Sequence, residues 1–251
     1  MFARFRKQSA ATVAPPEAAA PSVENVPDPH LYATYQTGVP VLQPWFGDAD
    51  IRTVVDDLVA KGLKTLVSDD RLQTLKWAFA QTARLDGEVW ELGVYQGGSA
   101  LLLRRLADRI APATILRFFD SFEGLPSPTP DDLHLGGDFA DTSLEAVRAL
   151  VGVTPNIKYH QGWIPDTLTG LEDRWIRFAH VDLDLYRSIL DACAFIYPRL
   201  RAGGVIVVDD YGLPSCPGAR KAVDEFFSGK HDVPLIVPSG QAIVVKGQDA
   251  R

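Results

Sequence analysis

Acidic residues stand at the ends of short apolar runs in a chain that alternates between two hydrophobic periods. Val89–Leu92, Thr114–Phe119, Ile157–His160, Ile176–Leu183 and Val205–Asp209 read as strands. Between them, Ala100–Arg109, Thr142–Val151, Tyr186–Leu200 and Ala219–Phe227 have helical spacing. Thr142-Ser-Leu-Glu145 has the form of a capping box. Such alternation predicts an α/β fold, a doubly wound and mainly parallel sheet with helices on both faces. Leu235–Val237 and Ala242–Val245 add a closing strand pair, for seven strands in all. Ligands of such sheets bind beyond the carboxyl ends of the strands, where the acids lie.

Residues 1–44 read differently. The start, Met1-Phe-Ala-Arg-Phe-Arg-Lys7, is basic and aromatic, and Ala10–Pro29 is rich in Ala and Pro. Such a stretch predicts a disordered or extended arm. Its basic end reads as a solvated tail, with contact to an anionic membrane or a partner as the alternative. Two helices are expected in 45–85. One holds Ile51, Val54, Val55, Leu58 and Val59 behind an Asp48 or Asp50 N-cap, and the other starts near Ser68-Asp69-Asp70. The expected organisation is arm 1–44, a helical lid region 45–85 and a nucleotide-binding domain 86–251.

The net charge of −7 argues against nucleic acid as a partner. No apolar run approaches the roughly 20 residues of a membrane span. Cys193 and Cys216 form no CxxC pair and read as reduced thiols of a cytoplasmic protein.

Three stretches point to a cofactor. Glu91-Leu-Gly93-Val-Tyr-Gln-Gly97-Gly98-Ser99 follows a strand and opens a helix, where a close backbone turn and free N–H groups favour a ligand. Its spacing departs from the GxGxxG dinucleotide pattern and looks like the S-adenosylmethionine motif. Asp120 and Ser121 close the second strand, where an acid can accept from both ribose hydroxyls; a solvated loop carboxylate is the alternative. Gly162-Trp163 follows the third strand, and Trp163 either stacks on a base or packs in the core.

A fourth stretch points to a metal. His180-Val-Asp182-Leu-Asp184 ends one strand and Val208-Asp209-Asp210 ends its neighbour. Extended geometry sends Asp182 and Asp184 to the same side, close to Asp209 and Asp210. Several carboxylates at one spot repel, and a divalent cation removes the conflict. Oxygen donors favour magnesium, with calcium and manganese as alternatives. Helix capping by Asp184 and Asp210 is the competing account. His180 is a second candidate base, with a packed or hydrogen-bonded imidazole as its alternative.

Taken together, Glu91–Ser99, Asp120-Ser-Phe-Glu-Gly-Leu-Pro126, Gly137–Asp141, Gly162–Leu168, Asp182–Tyr186, Val208–Gly212 and Cys216–Val223 resemble the macrocin O-methyltransferase family over about 65–227. The resemblance implies a class I methyltransferase fold with an antiparallel closing hairpin. It also implies S-adenosylmethionine and magnesium as cofactors, a sugar or glycosylated metabolite or polysaccharide as acceptor, and a homodimer or larger assembly. By the same resemblance, Asp182, Asp209 and Asp210 are metal ligands and Asp184 is the base, with Asp182 beside it in catalysis. Glu91, Gly93, Gly97, Ser99, Asp120, Ser121, Gly162, Trp163 and Asp182 hold the cofactor. A catechol-type methyltransferase, an NAD(P)-dependent sugar oxidoreductase and a non-catalytic nucleotide-binding protein are the rival readings. The oxidoreductase lacks its GxGxxG and Tyr-x-x-x-Lys signatures.

Overall fold

A computed structural model describes residues 44, 45 and 47–247. The readings of the basic start and the Ala/Pro-rich arm therefore lie outside the described residues. The sheet has seven strands in the order β3-β2-β1-β4-β5-β7-β6. Strands β1 (Glu88–Leu92), β2 (Leu116–Asp120), β3 (Ile157–Gln161), β4 (Ile176–Val181) and β5 (Leu200–Val208) are parallel. Strand β7 (Ala242–Val245) runs antiparallel to β5 and to β6 (Leu235–Ile236), which gives the expected closing hairpin.

The period-two alternation decides which residues meet which helices. Val89, Phe178, Val205, Val207 and Ile243 face one layer, made of α1 (Ala49–Ala60), α2 (Asp69–Thr82), α3 (Gly98–Ile110) and α4 (Leu144–Val151). Trp90, Leu92, Ala179, Val181, Ile206 and Val208 face the other, made of α5 (Tyr186–Ile196) and α6 (Pro217–Phe227). Ile51, Val54, Leu58, Leu72, Leu75 and Phe79 are buried in the first layer. The apolar faces of α1 and α2 thus share the core of the sheet. No helix among the described residues is long and apolar enough to cross a membrane.

Several boundaries differ from the sequence expectation for local reasons. Asp48, not Asp50, caps α1, accepting from the amides of Asp50 and Ile51 at 3.0 and 3.2 Å. Ser143 caps α4 through Ala146 N, while the Thr142 hydroxyl donates to the carbonyl of Tyr95. Helix α5 stops at Ile196, and Pro198 sits in the 3-10 turn Tyr197–Arg199 that follows. Strand β5 begins early, at Leu200, which pairs with Ile176 of β4, while Gly203 and Gly204 bond to Lys246. Strand β4 ends at Val181, and Asp184 takes φ 58°, so Asp184 does not continue an extended chain.

Candidate active site

The ends of β1, β2 and β4 enclose a cavity floored by Gly93. Gly93 N donates to Phe119 O at 2.9 Å, and Asp182 N donates to Leu92 O at 2.8 Å. These bonds continue the parallel ladders past the strand ends and fix the two loops side by side. Asp120 then organises the turn. Its Oδ2 accepts from the amides of Val94 (2.7 Å) and Tyr95 (2.8 Å), and its Oδ1 from Phe122 (2.7 Å). It is therefore not a solvated loop carboxylate, and it lines the cavity. Three backbone donors hold it, with about one of its four lone-pair sites left.

Ser99, at the start of α3, lines the same cavity, as do Asp120, Ser121, Gly162 and Trp163. Ser121 Oγ donates to Gly124 O at 2.6 Å and accepts from Glu123 N at 3.0 Å, shaping the wall. Trp163 Nε1 donates to the same carbonyl at 3.2 Å, and its side chain is 43% exposed. Trp163 is therefore a cavity wall, not a core residue, and its ring is available for stacking. The wall groups and the free N–H groups opening α3 fit an adenosyl ligand.

Two residues expected at the cofactor lie elsewhere. Gly97 takes φ 89° at the N-cap of α3, where a Cβ would come within 3.2 Å of Leu150; it serves helix packing and does not line the cavity. Glu91 is fully buried. Its Oε1 lies 3.0 Å from His180 Nδ1, its Oε2 has no partner among the described residues, and neither faces the cavity.

The far end of the cavity is acidic. Asp182, Asp184 and Asp210 line it. Asp209 sits behind them, fully buried, and receives Arg71 Nη1 on Oδ2 and Gln241 Nε2 on Oδ1 at 2.7 Å. His180 Nε2 approaches the same Oδ1 at 3.4 Å. Donor atoms of His180, Asp182 and Asp209 lie within 4.8 Å of one another. The expected convergence of Asp182 and Asp209 is present. Asp184 arrives by a turn instead of by extended alternation: its φ is 58°, and its amide donates to Asp210 Oδ2 at 3.0 Å. Neither acid caps a helix. The first amide of α5, on Tyr186, is satisfied by Asp132 Oδ1 at 2.7 Å.

Burial pushes Asp182 well above the usual carboxylate range, and the charge of Asp209 adds to it. Asp210 is pushed up in the same way, by burial and then by Asp182 and Asp184. Burial acts upward on Asp209 too, but the His180 hydrogen bond and the Arg71 charge outweigh it and hold Asp209 below that range. Burial opposes charge on His180, yet its bonds to Asp209 and Glu91 raise it to about 10. An imidazole held this way, at 0% exposure, is not a base for the cavity. No side-chain hydrogen bond reaches Asp182 among the described residues. Two cavity-facing carboxylates short of positive charge are a donor set that fits a hard divalent cation.

Sequence reasoning missed Arg71, Gln241 and His134. Arg71 and Gln241 come from α2 and the β6–β7 turn, and nothing local in the sequence couples them to Asp209. His134 belongs to the loop 121–141 and reaches the cavity beside Asp184.

The family described as Macrocin-O-methyltransferase (TylF) matches residues 31–235. The chain is 32% identical over 196 residues to the 8-demethyl-8-(2,3-dimethoxy-alpha-L-rhamnosyl)-tetracenomycin-C 4'-O-methyltransferase of Streptomyces olivaceus, covering 71% of this chain and 73% of that protein. It is 29% identical over 180 residues to the mycinamicin III 3''-O-methyltransferase of Micromonospora griseorubida, covering 64% and 69%. The solved structure of the O-methyltransferase NovP superposes with a TM-score of 0.69 at 21% identity, over 79% of this chain and 98% of that one. The seven-stranded sheet, the Gly93 turn and the acids at the ends of β4 and β5 accord with these matches: the chain belongs to the macrocin O-methyltransferase family and is an S-adenosylmethionine-dependent O-methyltransferase.

Proposed function

We propose that this enzyme methylates a sugar hydroxyl of a glycosylated metabolite or polysaccharide and requires a divalent cation, magnesium first. The observation that carries the reading is the acidic end of the cavity, where Asp182 and Asp210 face the space that also holds the cofactor wall. The rhamnosyl group in the name of the tetracenomycin enzyme supports the choice of a sugar over a phenol.

The residues divide the work. Gly93, Ser99, Ser121, Gly162 and Trp163 bind the methyl donor around a turn that Asp120 holds in shape. Glu91 and Gly97 support that turn from behind. Asp182 and Asp210 hold the cation, and Asp209 stands behind them with its charge shared by Arg71 and His180. A cation held there would supply positive charge to orient an acceptor hydroxyl and lower its pKa. Asp184 accepts the hydroxyl proton as the oxygen attacks the methyl carbon. Holding the two substrates in line supplies much of the rate. A cytoplasmic homodimer or larger assembly completes the reading.

The test is transfer of labelled methyl from S-adenosylmethionine onto a panel of rhamnosides, other glycosides and catechols. Transfer to glycosides that stops in chelator and returns with magnesium is expected. Transfer to catechols alone would replace the sugar, and full turnover in excess chelator would remove the cation.

A further inference from the structure

The loop 121–141 carries an imidazole that the reaction as described does not use. His134 lines the cavity, with its side chain about one-fifth exposed. Its Nδ1 lies 3.1 Å from Asp138 Oδ2, and the same carboxylate oxygen accepts the amide of Leu135 at 2.9 Å. Its Nε2 lies 3.8 Å from Asp184 Oδ1. The imidazole is therefore fixed between a carboxylate at the rim and the carboxylate assigned to proton abstraction. The ring of Phe139, with its centroid 5.3 Å away, limits its rotation.

We infer that His134, steadied by Asp138, takes the proton on from Asp184 and delivers it to solvent. The inference rests on the assignment of Asp184 as base. The step balances. The acceptor O–H bond breaks as its oxygen bonds the methyl carbon, and the sulfonium C–S bond breaks to leave a neutral thioether. The proton passes to Asp184 and then to Nε2 of a neutral His134. The imidazolium, held against Asp138, loses its Nδ1 proton to water on that side; Asp184 is again a carboxylate, and exchange of both ring protons with water returns the imidazole to its Nδ1–H form.

A side chain on Nδ1 decides the direction of transfer. A carboxylate there favours the proton on Nδ1 and leaves Nε2 on the Asp184 side, 3.8 Å from Oδ1, a gap that must tighten for the proton to pass. Asp138 is on the solvent side, with its side chain 39% exposed against 17% for Asp184. The path thus runs from a buried acid to a wet one. The groups facing His134 are Asp138 on its own loop, Asp184 before α5 and Cys216 at the start of α6. Cys216 does not compete for the proton: burial pushes its thiol up, and its Sγ donates to Asp184 Oδ1 at 3.5 Å. His134 acts through Asp184 and is a positioning and relay residue.

The experiment uses the full chain with magnesium and p-nitrophenyl α-L-rhamnoside, or whichever glycoside the screen turns over best. His134→Gln is expected to lower kcat about tenfold or more while KM and S-adenosylhomocysteine affinity hold. The lost rate should return as imidazole buffer is raised, whereas the wild type ignores buffer concentration. Asp138→Asn, at an exposed side chain, should give a smaller loss in the same direction. A His134→Gln rate within twofold of wild type, or a loss that imidazole does not restore, overturns the relay. Asp184→Asn separates the two readings. If it stays active, the base assignment falls and the relay with it. If it is dead while His134→Gln turns over normally, the relay alone falls.

Discussion

A β-carbon on residue 93 would lie 1.7 Å from the carbonyl oxygen of Asp182. Gly93 also takes φ 89°, a region that side chains rarely enter. The glycine that leaves room for the cofactor is thus demanded first by the protein's own backbone, because the loop carrying Asp182 passes directly over it. Cofactor turn and acidic cluster are locked together at this contact.

Gly93→Ala therefore forces the ends of β1 and β4 apart. It should destabilise the fold by about 3 kcal/mol, combining overpacking with an incompatible φ. Urea unfolding would measure this. Binding of S-adenosylhomocysteine and of magnesium should weaken together. Loss of one with the other intact would show that the two sites are not coupled through this residue.

Asp120→Ala should act on the turn as much as on the ligand. Removing the carboxylate strips the amides of Val94, Tyr95 and Phe122 of their acceptor. The cost is at least about 2 kcal/mol, with S-adenosylhomocysteine affinity down about tenfold or more and magnesium affinity changed less. Calorimetry with each ligand separately would test the ranking; unchanged nucleotide affinity would contradict it.

The sheet was legible in the sequence because short apolar stretches bounded by turns, such as Val205–Val208, alternate with helical spacing, and the cavity residues were legible because strand ends concentrate them. Asp182, Asp184, Asp209 and Asp210 were readable as a group for the same reason. Their division was not. Whether Asp209 faces the cavity depends on Arg71 and Gln241, which are 138 and 32 residues away and carry no local pattern. Glu91 looked like a ligand residue from its place before Gly93, yet the pleat turns it toward His180 on the neighbouring strand. Asp184 was expected from strand alternation, but the strand ends at Val181 and a left-handed turn positions it.

The raised Asp182 and Asp210 make the effect of a cation depend on pH. For an acid whose folded pKa lies above its unfolded value, the stabilising contribution is present below the unfolded value and is lost as pH rises through the folded one. The metal-free protein thus carries a penalty at neutral and alkaline pH that a divalent cation removes. His180, raised to about 10, adds in the same direction: its contribution is full below about 6.5 and fades through about 10. Asp209 is lowered, so its contribution is lost only at acid pH, outside this window. The rise in Tm on adding magnesium to chelator-treated protein should be larger at pH 8 than at pH 5.5. An equal rise at both, read by scanning calorimetry, would contradict the placement of the cation at these acids.

Arg71 supplies the sharpest test of what that cation meets. Its guanidinium holds Asp209 Oδ2 and the carbonyl of Leu66, and it feels Asp182 and Asp210 as well. It is a fixed positive charge inside the same acidic cluster, so it partly satisfies the carboxylates that a divalent ion needs. Arg71→Met keeps the length of the side chain and removes that charge. Without magnesium, the variant leaves Asp209 to His180 and Gln241 and should lose about 3 kcal/mol of stability, the usual cost of breaking a buried pair. With magnesium, the sign reverses: the cluster is one charge more negative, and the ion should bind about tenfold tighter, roughly 1.4 kcal/mol. A destabilised apo protein that regains its Tm with magnesium is the expected pair of results. Weaker magnesium binding in Arg71→Met, measured by titration calorimetry, would mean instead that Arg71 holds Asp209 in place for the cation.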